Sequence, residues 1–160
     1  VLPLIDQSRL HFPQQLGLAA LAGVDHALIG NAEIARCADL VLAKLDTAPH
    51  DRNRLRFLVV VAELAYLTGS SPLAAAIEPQ LAPFAGWHAV TGNAAVYFRS
   101  MSHALGFVTA AQGRRRDAIQ HFERALLAQE ALGSPIWRKR SADAIAKLRR
   151  PPSGVVKLVS

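Results

Sequence analysis

One spacing constrains the fold of this chain more than any other: a glycine followed five residues later by an alanine, met three times. The pairs are Gly30 with Ala35, Gly69 with Ala74 and Gly113 with Ala118, so the unit returns after 39 and then 44 residues. Self-similarity at such a period marks stacked supersecondary units, none of which can bury its apolar face alone. Glycine supplies the left-handed residue that ends one helix, and alanine lets the next helix cross at close range. A further small residue stands seven positions before each glycine, at Gly23, Ala62 and Gly106. Two turns before the first helix ends, a small side chain leaves room for the second helix to pack.

The pattern between these marks is helical. Helices are expected over residues 13–29, 31–46, 50–68, 72–85, 94–112, 114–132 and 135–149, about seven in three to four antiparallel hairpins. Pro49, Gly69 with Ser70-Ser71-Pro72, Gly86, Gly113 and Gly133-Ser134-Pro135 each join a terminator to a start signal. Asp51, Ser71 and Ser134 are suited to capping. The run Phe57-Leu58-Val59-Val60-Val61 is the nearest approach to a strand, but it flows into Ala62-Glu63-Leu64-Ala65 and reads as helix. Residues 86–93 have no helical period and read as the longest internal loop. Residues 1–12 read as a lead-in, 13–150 as the repeat domain and 151–160 as a tail or linker. Only 6% of residues are aromatic against 51% hydrophobic, so small and branched aliphatic side chains must fill the interior. Within 114–132, Ala118, Phe122, Ala125, Leu126 and Leu132 recur on one face, which makes Phe122 a core residue.

Leu105-Gly106, Gly113, Ala118, Phe122 and Ala125 fall at the spacing of small and large residues that a tetratricopeptide repeat alternates between two antiparallel helices. This unit resembles that family. The units at Gly30 and Gly69 keep the small residues but carry Asp39 and Glu78 where the third has Phe122. A narrower resemblance covers roughly residues 55–149, through Ala62 to Gly69, Leu81-Ala82-Pro83-Phe84-Ala85-Gly86, Leu105 to Gly113 and His121-Phe122-Glu123-Arg124-Ala125-Leu126. Those runs are similar to the C-terminal repeat arm of large bacterial regulators that join a signal-transducing ATPase to repeats, with a LuxR-type DNA-binding or a nucleotide-cyclase domain elsewhere. The resemblance implies an all-α, tetratricopeptide-like superhelical array serving as a non-catalytic scaffold for protein–protein contact in signal transduction or transcriptional regulation. Its partners would be a protein or peptide, or other domains of the parent polypeptide. Aligning the repeats by their glycines puts Arg56, Glu63 and Tyr66 of one first helix, and Arg99, His103 and Phe107 of the next, near the implied groove. Exposed array ends would also allow a homodimer.

Charge adds a direction. Residues 1–80 carry 6 Lys and Arg against 8 Asp and Glu, whereas residues 81–160 carry 12 against 4. Arg114, Arg115 and Arg116 open a helix, where the macrodipole disfavours them, with only Asp117 in partial compensation. Arg138-Lys139-Arg140, beside Trp137, and Arg149-Arg150 extend the basic character to the last helix. Exposed arginines at a helix start are cheap to tolerate; they also suit an acidic partner or a phosphate backbone. A basic helical module that binds nucleic acid is therefore the alternative reading. Few aromatics for base stacking and no helix-turn-helix cue stand against it.

Chemistry-bearing constellations are sparse. His11, His26, His50, His88, His103 and His121 are scattered without a ligand pair on one helix, so no metal is expected. Cys37 is alone, which excludes an intramolecular disulfide and favours a reducing compartment. Ser100 and Ser102 near His103 lack a nucleophile elbow, and Gly17 to Gly23 lacks the glycine spacing of a phosphate loop. Neither enzyme nor cofactor is expected; Trp87, His88 and Asn93 mark where a catalytic site would sit if there were one. No run reaches the roughly 18 apolar residues of a membrane span, and no signal core opens the chain. A cytoplasmic location follows as an expectation. The chain begins at Val1 without Met, as a piece of a larger polypeptide or a processed chain would.

Overall fold

The computed structural model describes residues 34–47, 54–91 and 96–150. Among them the architecture is helical with one small hairpin. Helix α1 (Ile34–Lys44) runs into a 3-10 turn at Leu45–Thr47, followed by α2 (Arg54–Thr68) and α3 (Ser71–Leu81) with a 3-10 turn at Ala82–Phe84. Strands β1 (His88–Thr91) and β2 (Val96–Ser100) come next, then α4 (Met101–Ala111), α5 (Arg115–Ala131) and α6 (Pro135–Arg149). The expected helix over 13–29, the lead-in, the tail and the first repeat's Gly30 lie outside the described residues. The expected helices over 31–46, 50–68, 72–85, 114–132 and 135–149 have counterparts in α1, α2, α3, α5 and α6.

Three turns end helices by one device. Gly69, Gly113 and Gly133 have φ of 64°, 76° and 63°, and the amide after each reaches back to a carbonyl five residues earlier. These bonds are Ser70 N to Ala65 O, Arg114 N to Thr109 O and Ser134 N to Gln129 O, each 2.9 Å long. They satisfy carbonyls that the last turn would leave orphaned. Each turn is short, so the helices on either side fold back on one another.

The third unit behaves as its spacing predicts. A methyl group at Gly106 would meet the Phe122 ring at 2.7 Å, so only glycine permits this approach of α4 and α5. Phe122, Ala118 and Ala125 are buried, whereas Leu132, placed in the same stripe, stands at the helix end and is half exposed. Helix α4 packs against α2, α3 and α5, and residues 101–109 are all buried. Helix α2 is similarly enclosed by α1, α3, α4 and β1, which is why its Val59-Val60-Val61 run is helical yet apolar all round.

One expectation is corrected. The helix anticipated over 94–112 starts at Met101, and residues 96–100 instead form β2, paired antiparallel with β1 from within the anticipated loop 86–93. Val96, Tyr97 and Phe98 favour extended backbone, and neighbouring alanines obscure that preference in a helical reading. Cross-strand bonds to His88–Thr91 decide the outcome, and these no local pattern reveals. Ala89 faces Arg99 and Val90 faces Tyr97, so Phe98 is an extra residue that bulges the ladder. The hairpin is tied down at its base by Met101 N donating to Trp87 O at 2.9 Å and Ser102 Oγ donating to Ala85 O at 2.5 Å.

Candidate functional site

The helices and the bulged strand bring together Glu63 and Tyr66 of α2, Arg99 of β2, and His103 and Phe107 of α4. Arg99 Nη2 donates to Glu63 Oε2 at 2.5 Å. Its guanidinium carbon lies 5.5 Å from the Phe107 ring centre and 4.7 Å from that of Trp137 on α6. Phe107 stacks on Tyr66 with centroids 4.8 Å apart, and Lys147 Nζ sits 5.1 Å above Tyr66. Side chains of α6 thus lie over the positions assigned to a groove. Arg99 is 3% exposed and His103 only 1%, so a partner reaches neither without displacing that cover.

A buried cation is tolerable only if paired. Glu63 provides the countercharge, and the faces of Phe107 and Trp137 add cation–π attraction. Burial lowers the Arg99 pKa, while the Glu63 charge opposes that shift. Arg99 Nε and Nη1 find no hydrogen-bond acceptor and are left against the aromatic shell.

His103 shows what this environment does to a titratable group. Edge-to-face contacts surround it at 4.7 Å from Phe107, 5.1 Å from Phe122 and 5.9 Å from Trp137. Burial first, and then the charges of Arg99 and Arg140, push the imidazole down to about 3. Ser141 Oγ lies 2.8 Å from His103 Nδ1. With its amide nitrogen turned toward Ser141 and the carbonyl of Trp137, Gln129 donates its two protons to Ser141 Oγ and Trp137 O, each at 2.8 Å. The network assigns Nδ1 as acceptor from Ser141 and places the proton on Nε2. His103 is a neutral core histidine joining α4 to α5 and α6. Nothing in the sequence marked Gln129 or Ser141 as its partners. The signal available was their place on helix faces, since Trp137 and Ser141 are four residues apart on α6.

The arginines of α5 resolve differently. Arg114 is bonded to Glu78 and lies 3.5 Å from Asp117, and Gln112 Nε2 donates to the same Glu78 at 2.9 Å. Burial alone would raise the Glu78 pKa, but the bonds from Arg114 and Gln112 hold it below the ordinary range. Glu78 occupies the position of Phe122 in its own unit. Instead of a core knob it is a link from α3 to the turn after α4. Arg115 donates to the carbonyl of Arg150 at 2.9 Å. Arg116 and Arg56 are exposed.

Elsewhere, Trp87 is exposed, His88 tilts over Tyr97 at 5.5 Å, and Asn93 lies outside the described residues. Cys37 is fully buried. Among the described residues no cluster of His, Cys, Asp and Glu has the makings of a metal site, and no helix is long and apolar enough to cross a membrane. No protein-family model matches the chain, and no significant similarity to a curated protein or a solved structure is found.

Proposed function

We propose that this chain is a non-catalytic scaffold for protein–protein contact, built on tetratricopeptide lines and acting in the cytoplasm as the sensing or regulatory arm of a larger bacterial signalling or transcriptional regulator. The observation that carries this reading is the contact of Gly106 with Phe122 between two helices joined by a glycine turn. Small and large residues meet there as they do in a repeat hairpin. The sideways packing of α4 on α2 and α3 supports it, because an open array grows by such contacts. Arg56 is exposed and Tyr66 half-buried, which puts both where a partner would meet α2; Glu63, Arg99, His103 and Phe107 act by holding α2, β2, α4 and α6 in register.

Protein is favoured over nucleic acid as the partner because few aromatic faces are open for base stacking: Trp137 lies under Arg99 and Arg140, and Tyr66 under Phe107 and Lys147. Glu78, Glu130, Asp143 and Glu123 pair with Arg114, Arg138, Lys139 and Arg149.

Photocrosslinking tests the reading. A crosslinking amino acid at Arg56, Tyr66 or Arg116, introduced in the bacterial parent protein, is expected to trap a discrete protein species or another domain of the same polypeptide. Excess chain lacking the crosslinker should compete the adduct away. Absence of any competed adduct at all three positions overturns the scaffold.

A further inference from the structure

The α5–α6 turn borders a cleft that the contacts above do not use. It measures about 370 Å³ and is lined by Tyr97 of β2, Leu132, the Gly133–Ser134 turn, Pro135, Ile136 and Trp137, the Tyr97 and Trp137 rings meeting edge to face at 6.4 Å. Leu132 and Ile136 are 54% and 71% exposed, an apolar lip held open to water on a helix end. Isolated exposed aliphatic side chains are ordinary, but two beside an aromatic wall form a patch.

The surroundings are cationic. Arg138, Lys139 and Arg140 follow the cleft wall directly, and no acid lies between Leu132 and Ala142. Arg99 and Arg140 stand 4.7 Å and 4.9 Å from the Trp137 ring centre. The pairs Arg138–Glu130 and Lys139–Asp143 are more than half exposed on both sides, so they are weak and exchange readily for another carboxylate. Ser134 makes no capping bond, and the amides of Ile136 and Trp137 find no backbone acceptor among the described residues. Those donors add to the positive character of the cleft mouth.

We infer that this cleft docks an acidic peptide segment of a partner protein, with one bulky apolar side chain on the lip of Leu132 and Ile136 beside the Tyr97–Trp137 edge contact and flanking carboxylates on Arg138, Lys139 and Arg140. The inference rests on the scaffold reading and adds the chemistry of the partner. Charge complementarity selects this occupant over a second copy. The half of the chain that carries the cleft holds 12 basic against 4 acidic residues, so two copies meeting here would bring like charges together. It also selects a peptide over a nucleic acid strand. Two guanidiniums already lie against the Trp137 ring, where a base would have to stack.

The test uses the full chain, isotope-labelled for amide NMR, and a capped peptide of about ten residues with one central Phe flanked by Glu and Asp. Addition of the peptide should shift the amides of Tyr97 and of Leu132 to Arg140, with little change in α1 or α3. A peptide of the same length with Lys in place of the acids should leave them unmoved. Ile136→Asp puts a carboxylate on the lip at an exposed site, and Arg138→Glu with Arg140→Glu reverses the rim; each should weaken binding at least tenfold with an unchanged circular dichroism spectrum. The inference is overturned if the acidic peptide shifts no amide at millimolar concentration or shifts only residues elsewhere. It is equally overturned if the Lys peptide or a short oligonucleotide binds the same residues as well, or if those amides shift with protein concentration alone. Crosslinked adducts at Arg56 or Tyr66 that persist when the peptide fails would remove the cleft and leave the scaffold standing.

Discussion

Replacing Gly106 by alanine adds one methyl group at the point where α4 and α5 come closest. That carbon would sit 2.7 Å from one atom of the Phe122 ring and 2.8 Å from two more, about 0.7 Å inside ordinary contact for the nearest. The ring has nowhere to retreat. Phe122 is fully buried, with His103 and Phe107 against it at 5.1 Å and 5.5 Å. Overpacking of this kind costs about 1–3 kcal/mol, and three contacts at once place it near the upper end. Alanine recovers up to about 1 kcal/mol through its higher helix propensity, which leaves a net loss of about 1–2 kcal/mol. Urea denaturation followed by circular dichroism measures it, and a double-mutant cycle with Phe122→Leu isolates the cause. In the leucine background the methyl group has space, so the same replacement should be neutral or stabilising. A neutral Gly106→Ala in the parent protein, or an equal cost in both backgrounds, would refute the close approach.

Phe122→Ala itself should cost about 3–5 kcal/mol by the same melts, and a loss below about 1 kcal/mol would deny it a place in the core. Gly113→Ala tests a different cost, since no atom lies within 4 Å of the added carbon but φ is 76°; the expected loss is about 1–2 kcal/mol, reduced with Asn. Glu63→Gln leaves the Arg99 guanidinium buried without its countercharge, and thermal melts should report a loss on the order of 3 kcal/mol. His103 is held neutral with a folded pKa of about 3, below its unfolded value, so its stabilisation is complete above about pH 6.5 and is lost as pH falls from there toward 3. Between pH 7 and 4 that loss is on the order of 3 kcal/mol, and His103→Gln should flatten the acid limb of the stability profile; an unchanged limb would show that His103 does not carry it.

The sequence by itself determined the features that depend on a few consecutive residues. Helix ends at Gly69, Gly113 and Gly133 were legible because a left-handed residue is a local demand. The stripe through Ala118, Phe122 and Ala125 was legible because helical periodicity is local too, and the Gly106 spacing foretold the crossing of α4 and α5. The hairpin was not legible: Val96 to Ser100 is extended only because His88 to Thr91 lies alongside to take its hydrogen bonds. Repeat alignment put Arg56, Glu63, Tyr66, Arg99, His103 and Phe107 near one implied groove; in the structure Glu63 pairs with Arg99, and Phe107 meets Tyr66 and His103. Whether they faced a groove or the interior could not be read there. Only the tertiary structure decided it, because burial is set by what packs on top. Here that is Trp137, Ser141 and Lys147 of a helix some 30 to 80 residues further along the chain. A lone arginine in a strand gives no local sign of being internal. Its carboxylate lies 36 residues away and its aromatic cover comes from two other helices. Tertiary contact turned a candidate recognition residue into the tie that holds the hairpin to the helices.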